Sequence, residues 1–461
     1  MTLSSPLSAV LVGCTLTLAL ILPVQAAERL VTLRDAVAVG VMTHPEYGSI
    51  INNRRATDEE LRQAQGKYLP SVDMNADTGW ELTHEDPPGT DSDTNSLWRY
   101  QAGLTLTQML FDGFETKFEV ERQKARIASA SHRVWEVAEF VGLDIVEAYL
   151  NVLRQRELLG IAQANVDRHA DLERQMIESS NAGRTTAADV EQSRARLAAA
   201  RANESSVREA LRTSEAMYRA KVGEMPRTLE RPASPSTNLA ETVDDEVKQA
   251  LVGSPTIASR VADIETAAAE WKQSQSSFYP NLDFQANVNR AHDTGGDEGE
   301  VDRARALLIM NWNLYRGGAD TARVREGVYR HAQAKETRSQ AARGVEEDVR
   351  QTWAQMVSAN ERGREFAAQA DANEKVVGAY LDQFNLDRRT LLDVLDAQNE
   401  YFVSRSNVIN AQYTELFAVY RLLALKGKLL PTLGVGYPSG PDPKDNYGDL
   451  IVADPNRRVM K

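Results

Sequence analysis

Two periodicities alternate along the chain, and the whole order of alternation occurs twice. Leu33, Ala36, Val37 and Val41 recur at helical spacing behind Thr32, a residue suited to an N-cap, so a short helix is expected from Thr32 to Thr43. His44-Pro45 interrupts it. A second helix then runs to about Lys67 and stops before Tyr68-Leu69-Pro70, because a residue preceding proline is pushed out of helical geometry. Beyond Pro70 the period becomes strict alternation, with Val72, Met74, Ala76, Thr78, Trp80 and Leu82 on one face and Ser71, Asp73, Asn75, Asp77 and Glu81 on the other. Trp98, Tyr100, Ala102, Leu104 and Leu106 predict a return partner, which places strands at about 71–82 and 97–108. From there a proline-free helical pattern predicts a helix over about 113–180, roughly 100 Å long at 1.5 Å per residue. The chain turns at Asn181-Ala182-Gly183 and returns through an Ala-rich helix over about 185–222.

The second half repeats the plan. Pro255 and Pro280 stand at the interval that separates Pro45 from Pro70, and Leu282, Phe284, Ala286 and Val288 alternate with polar residues. Ala306, Leu308, Met310, Trp312 and Leu314 form the return strand, although Leu307 and Ile309 blur its polar face. Strands are therefore expected at about 281–290 and 304–314, and helices at about 319–382 and 390–427. The stretch from Arg184 to Ser206 and the stretch from Arg388 to Asn410 align without a gap, pairing Thr186 with Thr390, Asp189 with Asp393 and Val190 with Val394. The organisation expected is a first repeat over 27–223, a proline-punctuated linker over 224–242, a second repeat over 243–430 and a polar tail over 431–461.

Composition agrees with long helices: charged residues are 26%, aromatics 7% and prolines only 16. A net charge of -13 argues against nucleic acid, which requires a basic face. Residues 1–26 read as a signal peptide, apolar from Ala9 to Val24 and ending in the small-residue pattern Val24-Gln25-Ala26. Cys14, the single cysteine, falls inside it, and lipidation there is disfavoured because the apolar run continues past it. Secretion changes the meaning of the alternating strands. Each has about the length of a tilted membrane strand, aromatics gather near the strand ends, and the loops at 83–96 and 291–302 are polar. Asp91, Asp93 and Asn95 fail as a calcium loop, since Ser96 and Ala102 occupy the positions of its glycine and glutamate. Four such strands cannot close, because the smallest membrane barrels have eight and an open edge is not tolerated in lipid. Oligomerisation is therefore required, with helices projecting well beyond the bilayer.

The duplicated plan, with RTLLDVLDAQNEYFVSRSNVINAQYTELFAVYRLLALKGKL at Arg389 to Leu429, resembles the TolC family of outer membrane channels, most closely its type I secretion branch. The resemblance implies a mainly α fold with a small membrane β part. Three copies would form a 12-stranded outer membrane β-barrel, four strands per chain, continuous with a periplasmic α-helical barrel. The implied partners are two further copies, outer membrane lipid, a periplasmic adaptor, and an inner-membrane ABC or proton-driven transporter. It also implies a tunnel entrance ringed by Asp393 and Asp396, whose stacked carboxylates would favour cations. The alternative for these aspartates is an ordinary helix N-terminus, where the dipole favours acids. By the same resemblance Asp189 and Arg389 would form a closed-state latch, with Phe384 in the place of a tyrosine, and Gly183, Arg184 and Arg388 would lie at the adaptor-docking turns. A small-molecule efflux duct is the alternative function, and a secreted coiled-coil scaffold without a pore a third. No cofactor, metal or enzymatic activity is expected, since the sequence has no HExxH, P-loop or nucleophile elbow and its six histidines do not cluster.

Overall fold

The computed structural model describes residues 30–437 except 86–87, 90–92 and 387. The segment expected as a signal peptide, with Cys14, the loop residue Asp91 and residues from 438 onward lie outside the described residues. Helix α1 spans Leu33–Thr43 and α2 spans Pro45–Gly66. Thr32 caps α1 by accepting the Asp35 N–H at 3.2 Å, and Pro45 starts α2, where its missing N–H costs no hydrogen bond. Strands β1 (Ser71–Glu85) and β2 (Asp93–Phe111) follow, then α3 (Glu115–Asn181) and α4 (Ala187–Val222). The second repeat supplies α5 (Val243–Gly253), α6 (Pro255–Gln273), β3 (Asn281–His292), β4 (Glu300–Asn311), α7 (Ala319–Asn385) and α8 (Leu391–Leu425). Helices α3 and α7 have 67 residues each, so each spans about 100 Å.

The strands form one antiparallel sheet in the order β1-β2-β3-β4, so β2 and β3 join the two repeats at its centre. Registers of Met74 with Leu104, Leu104 with Val288 and Val288 with Ala304 carry one apolar row across all four strands. The opposite face carries Asn75, Gly103, Asn289 and Arg303 in the neighbouring row. Gly103 leaves room there for the flanking amides, since a Cβ would stand 3.0 Å from the Asn289 side-chain oxygen and 3.1 Å from that of Asn75. Large apolar residues on the first face, among them Val72, Met74, Trp80, Trp98 and Leu104, are exposed. Among the described residues no helix is long and apolar enough to cross a membrane. The outer strands β1 and β4 each leave one edge without a partner within the chain.

Several boundaries differ from the sequence expectations. Strands β1 and β2 run on towards the loop that joins them, because Leu82 to Glu85 pair with Ser96 to Asp93 beyond the apolar band. Strand β4 covers Glu300–Asn311 instead of 304–314, so Trp312 and Leu314 lie past its end. The early start follows from Arg290 opposite Asp302, joined by two 2.8 Å hydrogen bonds that extend the pairing beyond the apolar rows.

The main core lies midway along the helices. There Val134 to Leu153 of α3 and Ile409 to Ala424 of α8 pack with α1, α2 and the end of α4. The stretch expected as a linker is fixed to this core. Val31 bridges Leu229, Tyr149 donates its hydroxyl to the carbonyls of Val31 and Glu230 at 2.8 and 2.6 Å, and Lys426 donates to the Asn238 carbonyl at 2.9 Å. Nor does the tail leave the body at Pro431. A short helix α9 (Leu429–Thr432) buries Leu429 and Leu430, and Tyr437 reaches back to Glu139. By contrast, α7 packs on α8, α6 and α5 but buries few residues along its length and exposes Val328, Tyr329 and Val357, which leaves one face of this long helix open in a single chain.

Candidate functional site

The end of the molecule remote from the sheet is built from two hairpin tips of matching chemistry. Helix α3 ends at Asn181, and Gly183 takes φ +74°, a left-handed turn that glycine adopts without strain. The Arg184 N–H then returns to the Ser179 carbonyl at 2.9 Å. At the other tip the Arg388 N–H returns to the Gln383 carbonyl, also at 2.9 Å. Each return helix opens with a reciprocal cap. Thr186 accepts the Asp189 N–H while Asp189 accepts the Thr186 N–H at 3.0 Å, and Thr390 and Asp393 repeat the arrangement. The shared spacing of Thr and Asp is thus first a device for starting a helix after a tight turn.

The tips also pack on one another. Leu172 and Met176 of α3, Val190 of α4, and Leu391, Val394 and Leu395 of α8 form a buried apolar cluster, with Tyr380, Leu381 and Phe384 of α7 packed against it. Phe384 is half-buried in this cluster and offers no polar atom. Gly183, Arg184 and Arg388 are exposed at the turns.

Of the expected latch, the single chain does not bring Asp189 and Arg389 together. The Asp189 carboxylate accepts from the Thr186 hydroxyl at 2.7 Å and from the Thr186 N–H, with the Thr185 hydroxyl farther off, and these bonds hold it below the usual carboxylate range. Arg389 instead lies over the Tyr380 ring, 4.0 Å from its centroid, and donates to Gln383 Oε1 at 3.1 Å. Its charged neighbour is Asp393, 3.8 Å away on its own hairpin. The aromatic partner of this arginine is therefore Tyr380, one turn before Phe384.

Asp393 and Asp396 do not share one environment. Asp393 is engaged in the cap, accepting from the Thr390 hydroxyl at 2.8 Å. Asp396 is exposed and accepts from Arg196 of α4 at 3.0 Å, a contact between the two repeats. Arg196 was not among the residues singled out from the sequence. A lone arginine on a polar helix face gives no sign of a partner on the other repeat.

The sequence pattern of the family described as outer membrane efflux protein matches residues 49–224 and 247–428. The chain is 24% identical over 403 residues to the outer membrane efflux protein BepC of Brucella suis, covering 86% of each chain. It is 22% identical to the outer membrane protein TolC of Escherichia coli, covering 84% of this chain and 80% of that protein. It is 23% identical to the alkaline protease secretion protein AprF of Pseudomonas aeruginosa, covering 89% and 88%. Among solved structures, CusC superposes with a TM-score of 0.73 at 13% identity, covering 88% of this chain and 92% of that one.

Proposed function

The chain belongs to the outer membrane efflux protein family, and from that membership we propose that it is the exit duct for type I protein secretion, fed by an ABC transporter through a periplasmic adaptor. As a family member it is an outer membrane channel protein with a helical part on the periplasmic side. The family is one of ducts and not of enzymes. The secretion role is supported by the Arg389 to Leu429 stretch, whose wording is most similar to that branch, and by the similarity to a protein named for protease secretion. Efflux of small molecules is the second reading, favoured by the similarity to BepC over 403 residues.

The assembly proposed is a homotrimer. One chain offers four strands with two free edges, and three chains would close twelve strands into a barrel with no edge left in lipid. The exposed length of α7 would be covered by a neighbouring copy in the same ring. In this arrangement the apolar row of Met74, Leu104, Val288 and Ala304 faces lipid, and the row containing Asn75, Asn289 and Arg303 faces the lumen.

At the far end, Asp393 and Asp396 serve as the tunnel entrance, where repeated carboxylates focus a negative potential and favour cations. Asp189 and Arg389, which do not meet within one chain, serve as the closed-state latch between neighbouring copies, with Phe384 packed in the apolar cluster of its own chain. Gly183, Arg184 and Arg388 present the turns to the adaptor.

The two cargo readings separate in a host lacking its own channel of this family. Expressed there with each class of inner-membrane partner, the protein should restore release of a secreted protein to the medium and leave drug susceptibility unchanged. Restored drug resistance without protein release would move the assignment to efflux. Cargo aside, replacing Asp393 and Asp396 together with Ala should lower the cation preference of channels in planar bilayers, and an unchanged preference would remove them from the entrance.

A further inference from the structure

We infer that Arg196 sets the charge of the tunnel entrance, by pairing with Asp396 inside each chain and withholding that carboxylate from the lumen. The inference rests on the entrance reading above and adds the residue that regulates it.

Asp393 and Asp396 are one turn apart on α8, yet only one of them has an obligation to its own helix. Asp393 closes the cap with Thr390. Asp396 has no such duty, and its recorded partner is the Arg196 guanidinium on α4, at 3.0 Å. Helix α4 belongs to the first repeat and α8 to the second, so the contact crosses the line where the two hairpins meet. Just beneath it lies the apolar cluster of Leu172, Met176, Val190, Leu391, Val394 and Leu395. Asp396 follows Leu395 of this cluster directly in sequence, and both members of the ion pair are partly exposed.

The duplication shows that the pair is particular to one seam. The repeats are offset by 204 residues (393 − 189), so the positions equivalent to Arg196 and Asp396 are Glu400 and Gln192. Those two cannot form an ion pair. At these positions the seam within a chain therefore carries an ion pair, and the equivalent positions of the seam between neighbouring copies do not. Two consequences follow for the ring. The Asp396 carboxylate, which ought to strengthen the cation field, is offset by the Arg196 charge beside it, while Asp393 has Arg389 farther off at 3.8 Å. The two hairpins of one chain are also tied to each other, so that separation at the tip falls on the seams between chains.

The test uses the full-length protein reconstituted in planar bilayers of neutral lipid, read as the cation-to-anion permeability ratio from reversal potentials in a potassium chloride gradient. Arg196→Gln should raise the ratio by about fivefold, the equivalent of about 1 kcal/mol, which is the attraction between unit charges 4 Å apart in water. Arg196→Gln combined with Asp396→Asn should return it to near the wild-type value, and Arg196→Lys should leave it there. The reciprocal exchange Arg196→Asp with Asp396→Arg, which restores the pair in reverse, should also resemble wild type and keeps the test valid if a single variant assembles poorly. A ratio unchanged in Arg196→Gln, or raised equally when Asp396 is already Asn, would overturn the inference while leaving the channel reading intact. A wild-type protein that never conducts would overturn the channel reading and the inference with it.

Discussion

Replacing Glu139 with Gln should uncouple the docking of residues 429–437 from pH. Glu139 is fully buried on α3. Its carboxyl accepts the Leu429 N–H at 2.9 Å, the Leu430 N–H at 3.4 Å and the Tyr437 hydroxyl at 2.7 Å, so one side chain anchors residues 429–437. Burial pushes its pKa up to about 7, and those three donors only partly offset the cost of a charge in the core. The docked state thus holds the proton more tightly than the undocked one. Its favourable contribution is complete below the ordinary value of 4.5 and is lost as pH rises towards 7. At about 1.4 kcal/mol per tenfold change in proton affinity the difference amounts to roughly 3 kcal/mol, an upper value, or about a hundredfold in the opening equilibrium. Hydrogen exchange at the Leu429 and Leu430 amides, corrected for intrinsic rates, reads this directly. Protection in the wild type should fall about a hundredfold between pH 5 and pH 8, whereas in Glu139→Gln it should stay flat. Trp135, stacked on Tyr437 at 5.3 Å, supplies a second probe. The neighbouring titratable groups are Tyr437, which burial pushes far above this range, and His132 against Trp135, which burial pushes below the usual histidine value. The same pH slope in Glu139→Gln as in the wild type would refute the assignment.

Two other perturbations act away from this anchor. Lys426 and Glu246 form a fully buried ion pair at 2.8 Å, with Lys426 also bonded to the Asn238 carbonyl, so Lys426→Met should strand a buried carboxylate and cost about 3–5 kcal/mol. Denaturation midpoints lowered by less than the equivalent of about 1 kcal/mol would show that the pair is dispensable. Thr186→Ala and Thr390→Ala each remove one half of a reciprocal cap and should cost about 1 kcal/mol of local stability, seen as faster exchange in the first turns of α4 and α8. Equal exchange in variant and wild type would mean that packing on the apolar cluster alone holds the tips.

The resemblance drawn from RTLLDVLDAQNE is matched by the family assignment over both repeats, and the mainly α fold with four antiparallel strands is the one that the alternation implied. These were legible for local reasons. A period of two marks a strand with unlike faces, prolines close helices wherever they occur, and a gapless internal repeat imposes one plan twice. Thr32 can be read as a cap because an N-cap needs nothing beyond its own first turn, whereas the caps at Thr186 and Thr390 emerged only with the structure.

What the sequence could not determine depends on which distant segments meet. Nothing near Glu139 announces that residues 429–437 will satisfy it, and a proline-rich stretch such as 224–242 gives no hint that Tyr149 and Lys426 will bind its carbonyls. Arg389 could have reached for Asp189. The packing of its own hairpin puts Tyr380 and Asp393 nearer. Asp396 could be singled out from the sequence but its partner Arg196 could not, since the two lie on different repeats until the apolar cluster draws the hairpin tips together. Local periodicity decides which elements form, because each turn or strand is stabilised by its neighbours in the chain. Charge pairing across the repeats is decided only when burial of the shared apolar face fixes the distance and register between them.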